Sequence, residues 1–104
     1  MFKLILLLLF DLPRDTKKHR KQAAKYRKRL VEIGFEMKQF SVYEREVRNM
    51  SNVEKIMNIL KVELPDEGLI SMFTLPDSVY EKQVDILGKN ILHNPNHKPK
   101  LIII

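Results

Sequence analysis

Seven consecutive apolar residues, Leu4 to Phe10, end abruptly at Asp11-Leu12-Pro13. An apolar run of that length without alternation predicts a strand covered on both faces, and Pro13 stops it. The period then changes. Ala23, Tyr26, Leu30 and Ile33 recur at helical spacing, with His19 extending the stripe, so residues 16–33 are predicted to form an amphipathic helix. Asp15 or Thr16 supplies its cap and Gly34 its stop. Phe35 to Val47 is rich in aromatic and β-branched residues and reads as extended. Its alternation slips near Gln39–Ser41, so one bent strand and two short ones both fit.

The second half carries clear punctuation. Ser51-Asn52-Val53-Glu54 has the form of a capping box, and Val53, Ile56, Met57, Leu60 and Leu64 mark a second amphipathic helix. Pro65-Asp66-Glu67-Gly68 is a turn and Leu69–Leu75 an apolar strand. Pro76–Leu87 is predicted to open as a short third helix capped by Asp77 or Ser78 and ended by Gly88. His93 to Pro99 is a polar loop, and Leu101–Ile104 leaves four apolar residues at the end. Pairing with a partner's sheet edge would cover them.

Strands mixed with two long helices predict a single α+β sandwich, with the helices packed on one sheet face. We divide the chain into a core domain, residues 1–88, and a C-terminal loop and strand, residues 89–104, exchanged within a homodimer. The Leu4–Phe10 run is far short of the ~18 residues a membrane helix needs, and no small-residue cleavage site follows it. The protein is expected to be cytoplasmic, with no membrane partner.

Charge sharpens this picture. The 104 residues carry a net charge of +6. Residues 1–50 hold thirteen Lys and Arg against six Asp and Glu, a net of +7, and residues 51–104 hold six against seven, a net of −1. Between Arg14 and Arg29 stand nine bases and one acid, Asp15. An ordinary solvated helix face mixes both signs through i,i+4 pairs. This one places Lys17, Lys21, Lys25 and Lys28 opposite the apolar stripe, flanked by Arg14, Lys18 and Arg29. A phosphate backbone is the partner such a face suits. Neutralising about six phosphates would give a slope of log K against log salt of about −5. No aromatic interleaves the cations, so base reading is not indicated.

Most catalytic constellations are missing. The chain has no cysteine, which removes disulfides, thiolate zinc sites and a cysteine nucleophile. Its three glycines form no phosphate loop, and Pro95 denies His93 and His97 a shared helical face. Asp11 is the one acid placed where chemistry would want it, at the carboxyl end of the first strand. Pairing with Arg14 or Lys17, or with turn amides, is its plain structural role. A two-fold dimer could instead bring two Asp11 carboxylates together across its seam, their repulsion then relieved by a divalent metal or by one proton. Ser41 and Tyr43 read as local hydrogen-bonding and packing residues, and Met37, Met50, Met57 and Met72 as gap-fillers.

The sequence resembles the CRISPR-associated protein 2 family, the small subunit of the spacer-acquisition machinery, and most closely its type II form. The resemblance rests on Phe10-Asp11-Leu12-Pro13, Thr16-Lys17-Lys18, Tyr26-Arg27-Lys28, Gly34-Phe35-x-Met37-x-Gln39-Phe40-Ser41-Val42-Tyr43, Gly68-Leu69-Ile70 and Gly88. It implies a ferredoxin-like fold with an antiparallel sheet, and a homodimer whose last strand adds to the partner subunit. It implies two roles. In one, the dimer is a scaffold that holds duplex prespacer DNA and bridges dimers of the integrase, CRISPR-associated protein 1. In the other, it is a magnesium- or manganese-dependent endonuclease acting on RNA or DNA, with Asp11 as catalytic and metal-binding residue. Arg14, Lys17 and Lys18 match a region that contacts DNA backbone in the family; Lys21, Lys25 and Lys28 extend the same cationic face. The acids Glu54, Glu63, Asp66 and Glu67 are a candidate surface for the integrase.

Overall fold

The computed structural model describes residues 3–88. The elements follow the order β1 (Leu4–Asp11), α1 (Lys17–Glu32), β2 (Glu36–Gln39), β3 (Val42–Val47), α2 (Met50–Leu60), β4 (Leu69–Pro76) and α3 (Asp77–Tyr80). The strands form one sheet in the order β2-β3-β1-β4, with every neighbouring pair antiparallel. With α1 and α2 on one face, this is the ferredoxin-like sandwich. The C-terminal loop and exchanged strand, including Leu101–Ile104, lie outside the described residues.

β1 is central in the sheet, but the expectation of a strand covered on both faces holds only in part. One face packs under the helices, whereas on the other Ile5 is buried, Leu7 and Leu9 are half-buried and Asp11 is exposed. Side chains alternate along it. Leu4, Leu6, Leu8 and Phe10 join Ala23, Tyr26 and Leu30 of α1, and Val53, Ile56 and Leu60 of α2, in one core cluster. Ile5, Leu7, Leu9 and Asp11 therefore point to the opposite face. There their cross-strand neighbours on β4 are Leu75, Phe73, Ser71 and Leu69.

The expected extended segment 35–47 is a hairpin of two strands. Its turn at Phe40-Ser41 puts Ser41 at φ 65°, unusual for a residue with a side chain, and the pairing slips between Met37 and Gln39. The Ser41 carbonyl accepts the Phe10 N–H at 3.0 Å, which pins the hairpin tip to the end of β1. Tyr43 is buried and stacks on Phe10 with ring centroids 5.7 Å apart. Both residues thus have local structural roles.

Three local expectations are corrected. The cap of α2 is Asn49, whose side-chain oxygen accepts the Asn52 N–H at 2.9 Å, so Ser51 falls inside the first turn and no capping box forms. An asparagine cap is as good as serine, and starting earlier still seats Val53, Ile56 and Leu60 in the core. Leu64 is left beyond the helix and exposed. The third helix is a single turn, Asp77–Tyr80, with Pro76 at the cap position and no side-chain cap. Asp77 lies inside it, where its N–H bonds the Lys3 carbonyl at 3.1 Å and its carboxylate lies 3.6 Å from Lys3 Nζ. Finally, only Met72 packs on the core; Met37, Met50 and Met57 are exposed.

The cap assignment is testable. Asn49→Ala should cost about 1 kcal/mol in urea unfolding. Ser51→Ala should stay within about 0.5 kcal/mol. A larger loss at Ser51 than at Asn49 would return the cap to Ser51.

Candidate nucleic-acid interface

The cationic residues sit on α1 because its opposite stripe is committed to the core. Thr16 starts the helix, its hydroxyl oxygen accepting the His19 N–H at 3.0 Å. Spacings of four and seven residues place Lys17, Lys21 and Lys28 in one longitudinal row. All three are exposed, and among the described residues their ammonium groups have no acidic partner. The row spans eleven residues, about 16 Å of helix. The side chain of Arg14 is likewise exposed just before the helix, while its carbonyl accepts from Arg20 Nη1 at 2.9 Å.

The neighbouring row is different. Lys18, Gln22, Lys25 and Arg29 recur at spacings of four, three and four, and the α2–β4 loop brings acids against them. Lys18 Nζ is 3.0 Å from Asp66 and Lys25 Nζ is 3.6 Å from Glu63. Gln22 holds Asp66 twice: its amide N–H donates to the Asp66 carboxylate at 3.0 Å, and its oxygen accepts the Asp66 N–H at 3.3 Å. His19 lies between Asp15 at 2.6 Å and Glu67 at 3.9 Å. The Gln22 hydrogen bond, followed by the one from Lys18, holds the Asp66 carboxyl below its ordinary range, and the His19 hydrogen bond does the same for Asp15. A cleft of about 240 Å³ remains between α1 and the loop, lined by Tyr26, Arg29, Leu64 and Pro65 among others.

This corrects the expectation of an almost purely cationic face. The face is cationic along one row and partly neutralised along the next. The candidate integrase surface changes with it, since Glu63, Asp66 and Glu67 already face α1 and only Glu54 makes no contact there. The sequence hid these pairs because the partners stand 38 to 48 positions apart. The acidic run after α2 was the available signal.

Asp11 closes the outward row of β1 and is exposed. Neither Arg14 nor Lys17 pairs with it, and among the described residues its carboxylate has no hydrogen-bond or ion-pair partner. No group of three or more His, Cys, Asp or Glu residues is placed to hold a metal among the described residues. Sequence reasoning missed a second polar cluster on the same sheet face. Lys38 Nζ donates to the Tyr80 hydroxyl at 2.9 Å and lies 5.0 Å from that ring's centroid. The Tyr80 hydroxyl also donates to Glu44, so the α3 segment is fastened across the β2–β3 side of the sheet.

Sheet order, helix placement and outward-facing cations define a small ferredoxin-like protein with one basic helix and one largely open sheet face. The chain belongs to the CRISPR associated protein Cas2 family, whose family model matches residues 4–85. It is 34% identical over 99 residues to a protein of Ligilactobacillus salivarius, covering 95% of this chain and 98% of the relative. A Treponema denticola protein is 32% identical over 94% of this chain and 97% of its own length. One from Streptococcus mutans (strain UA159) is 31% identical over 95% and 91%. All three carry the name CRISPR-associated endoribonuclease Cas2. Among the described residues no helix is long and apolar enough to cross a membrane.

Proposed function

We propose that this protein is the duplex-DNA-holding scaffold of a CRISPR spacer-acquisition complex, a homodimer that bridges integrase dimers. The observation that carries this reading is the unopposed row Lys17, Lys21 and Lys28, with Arg14 at its head. Four exposed cations without acidic partners among the described residues cost helix stability by mutual repulsion, and phosphates relieve it. Duplex holding explains such a row, and hydrolysis does not require it. Dimerisation through the open sheet face fits Leu7, Leu9, Leu69, Phe73 and Leu75, which lie together there; Leu69 and Phe73 are more than half exposed.

The test is a salt series with duplex DNA. Replacing Lys17, Lys21 and Lys28 together with alanine should reduce the slope of log K against log salt by about 2.7, at about 0.9 per phosphate contact. An unchanged slope would overturn the scaffold reading.

A second reading, metal-dependent cleavage of RNA or DNA, is favoured by the exposed, unpartnered carboxylate of Asp11 and by the name of the relatives. One carboxylate is a poor donor set for a hard cation. Two, one from each facing copy, would fit magnesium or manganese with water completing the shell. The ion would supply a bound water of lowered pKa. This chain's contribution would be to hold the two carboxylates on the shared face. Asp11→Asn should abolish metal-dependent cleavage while duplex binding is retained. A variant that cuts as well as the wild type would remove Asp11 from the chemistry.

A further inference from the structure

We infer that the α2–β4 loop, residues 61–68, is a built-in competitor for duplex DNA: its carboxylates occupy one row of α1 as phosphates would, and duplex binding displaces them. This inference rests on the reading of α1 as the duplex-binding helix.

The lysines of the two rows on α1 differ in what faces them. Among the described residues Lys17, Lys21 and Lys28 have no acidic partner, whereas Lys18 and Lys25 each meet a carboxylate of the loop. The loop is held along the row by an amide as well, since Gln22 bonds both the side chain and the backbone of Asp66. A carboxylate and a phosphate present the same kind of acceptor to an ammonium group, so loop and duplex draw on the same donors.

The exposure of these pairs decides whether the loop is a fixed strut or an exchangeable occupant. The side chains of Lys18 and Asp66 are 73% and 55% exposed, and those of Lys25 and Glu63 are 71% and 58% exposed. Exposed pairs of this kind are screened and each contributes about 0–1 kcal/mol. A polyanion that offers several phosphates at once outcompetes them. Until it does, Glu63 and Asp66 repel any duplex lying along the adjacent row. The loop thus lowers affinity for passing nucleic acid and confines tight binding to duplexes that engage both rows.

The experiment compares wild type, E63Q/D66N and E63Q/D66N/K18A/K25A on duplex DNA across a salt series. With the acids neutralised, binding should tighten about tenfold at low salt, and the slope should steepen by up to about 1.8, two contacts at about 0.9 each. Removing Lys18 and Lys25 in that background should return the slope to the wild-type value. A wild-type slope and affinity for E63Q/D66N would overturn the proposal, as would a gain that survives loss of the two lysines. Should the double variant fold poorly, Glu63→Gln alone, which spares the Gln22–Asp66 bonds, should give about half the slope change, and no change would overturn it. If K17A/K21A/K28A flattens the slope while E63Q/D66N does nothing, the loop proposal falls alone. If neither variant changes binding, the duplex-binding reading falls with it.

Discussion

Replacing Gly68 with alanine should destabilise the domain by about 2–4 kcal/mol in denaturant unfolding. Two costs add. Gly68 has φ +122°, on the side of conformational space that residues with a Cβ rarely adopt. A Cβ built there would also lie 2.7 Å from the Asp11 carbonyl oxygen and 2.7 Å from Leu12 Cδ2. The backbone oxygen cannot step aside, because Asp11 is still paired with Leu69 on β4. Gly34→Ala is the internal control. It shares the positive φ, at +95°, but its Cβ would meet only the flexible Arg45 side chain, at 3.2 Å. It should cost about 1 kcal/mol. Equal losses at the two positions would mean that backbone conformation, and not the close approach to Asp11, sets the requirement at Gly68.

The second large effect is expected at Leu30. This side chain is fully buried between α1 and the sheet. Alanine is as good a helix former as leucine, so Leu30→Ala leaves the intrinsic preference of α1 intact and the loss is one of packing. Cavity and transfer terms together put it at about 2–5 kcal/mol. Against the 5–15 kcal/mol typical of a whole domain, that is enough to leave a visible unfolded fraction at moderate temperature. Val31→Ala, one position along and 59% exposed, should change the midpoint by less than about 0.5 kcal/mol. Below its melting temperature the Leu30 variant should keep the wild-type salt slope for duplex DNA, since every cation on the outer rows is untouched. A flattened slope in folded protein would show that packing under the helix, as well as charge upon it, sets the binding surface.

The elements with long, clean periods are legible in the amino-acid sequence alone. β1 and α1 fall where Leu4–Phe10 and the Ala23, Tyr26, Leu30 stripe put them, because burial on known faces dictates those patterns. Other features are ones that local pattern does not encode. The hairpin break rests on a serine at positive φ, a conformation no serine announces. Local pattern does not choose Asn49 over Ser51 as cap, since both are good N-cap residues and either start seats the same core side chains. The candidate interface is half legible. A count of bases along α1 locates the cationic helix, but the division into a free row and an opposed row comes from acids that only folding brings near. Asp11 is legible as a position. Its freedom from Arg14 and Lys17 is not, since short-range pairing looks open to it.

The loop after α2 is fastened at two points, by Gln22 gripping Asp66 and by Gly68 lying against the Asp11 carbonyl. Surface connections ordinarily drift in length between relatives, because nothing measures them. Here only Glu67 separates the two anchors, and a residue gained or lost between them must release one or the other. The spacing works as a ruler. A change of length here would give up either the grip on the basic helix or the fit at the end of the central strand, so this loop tolerates insertion upstream, around Lys61 to Glu63.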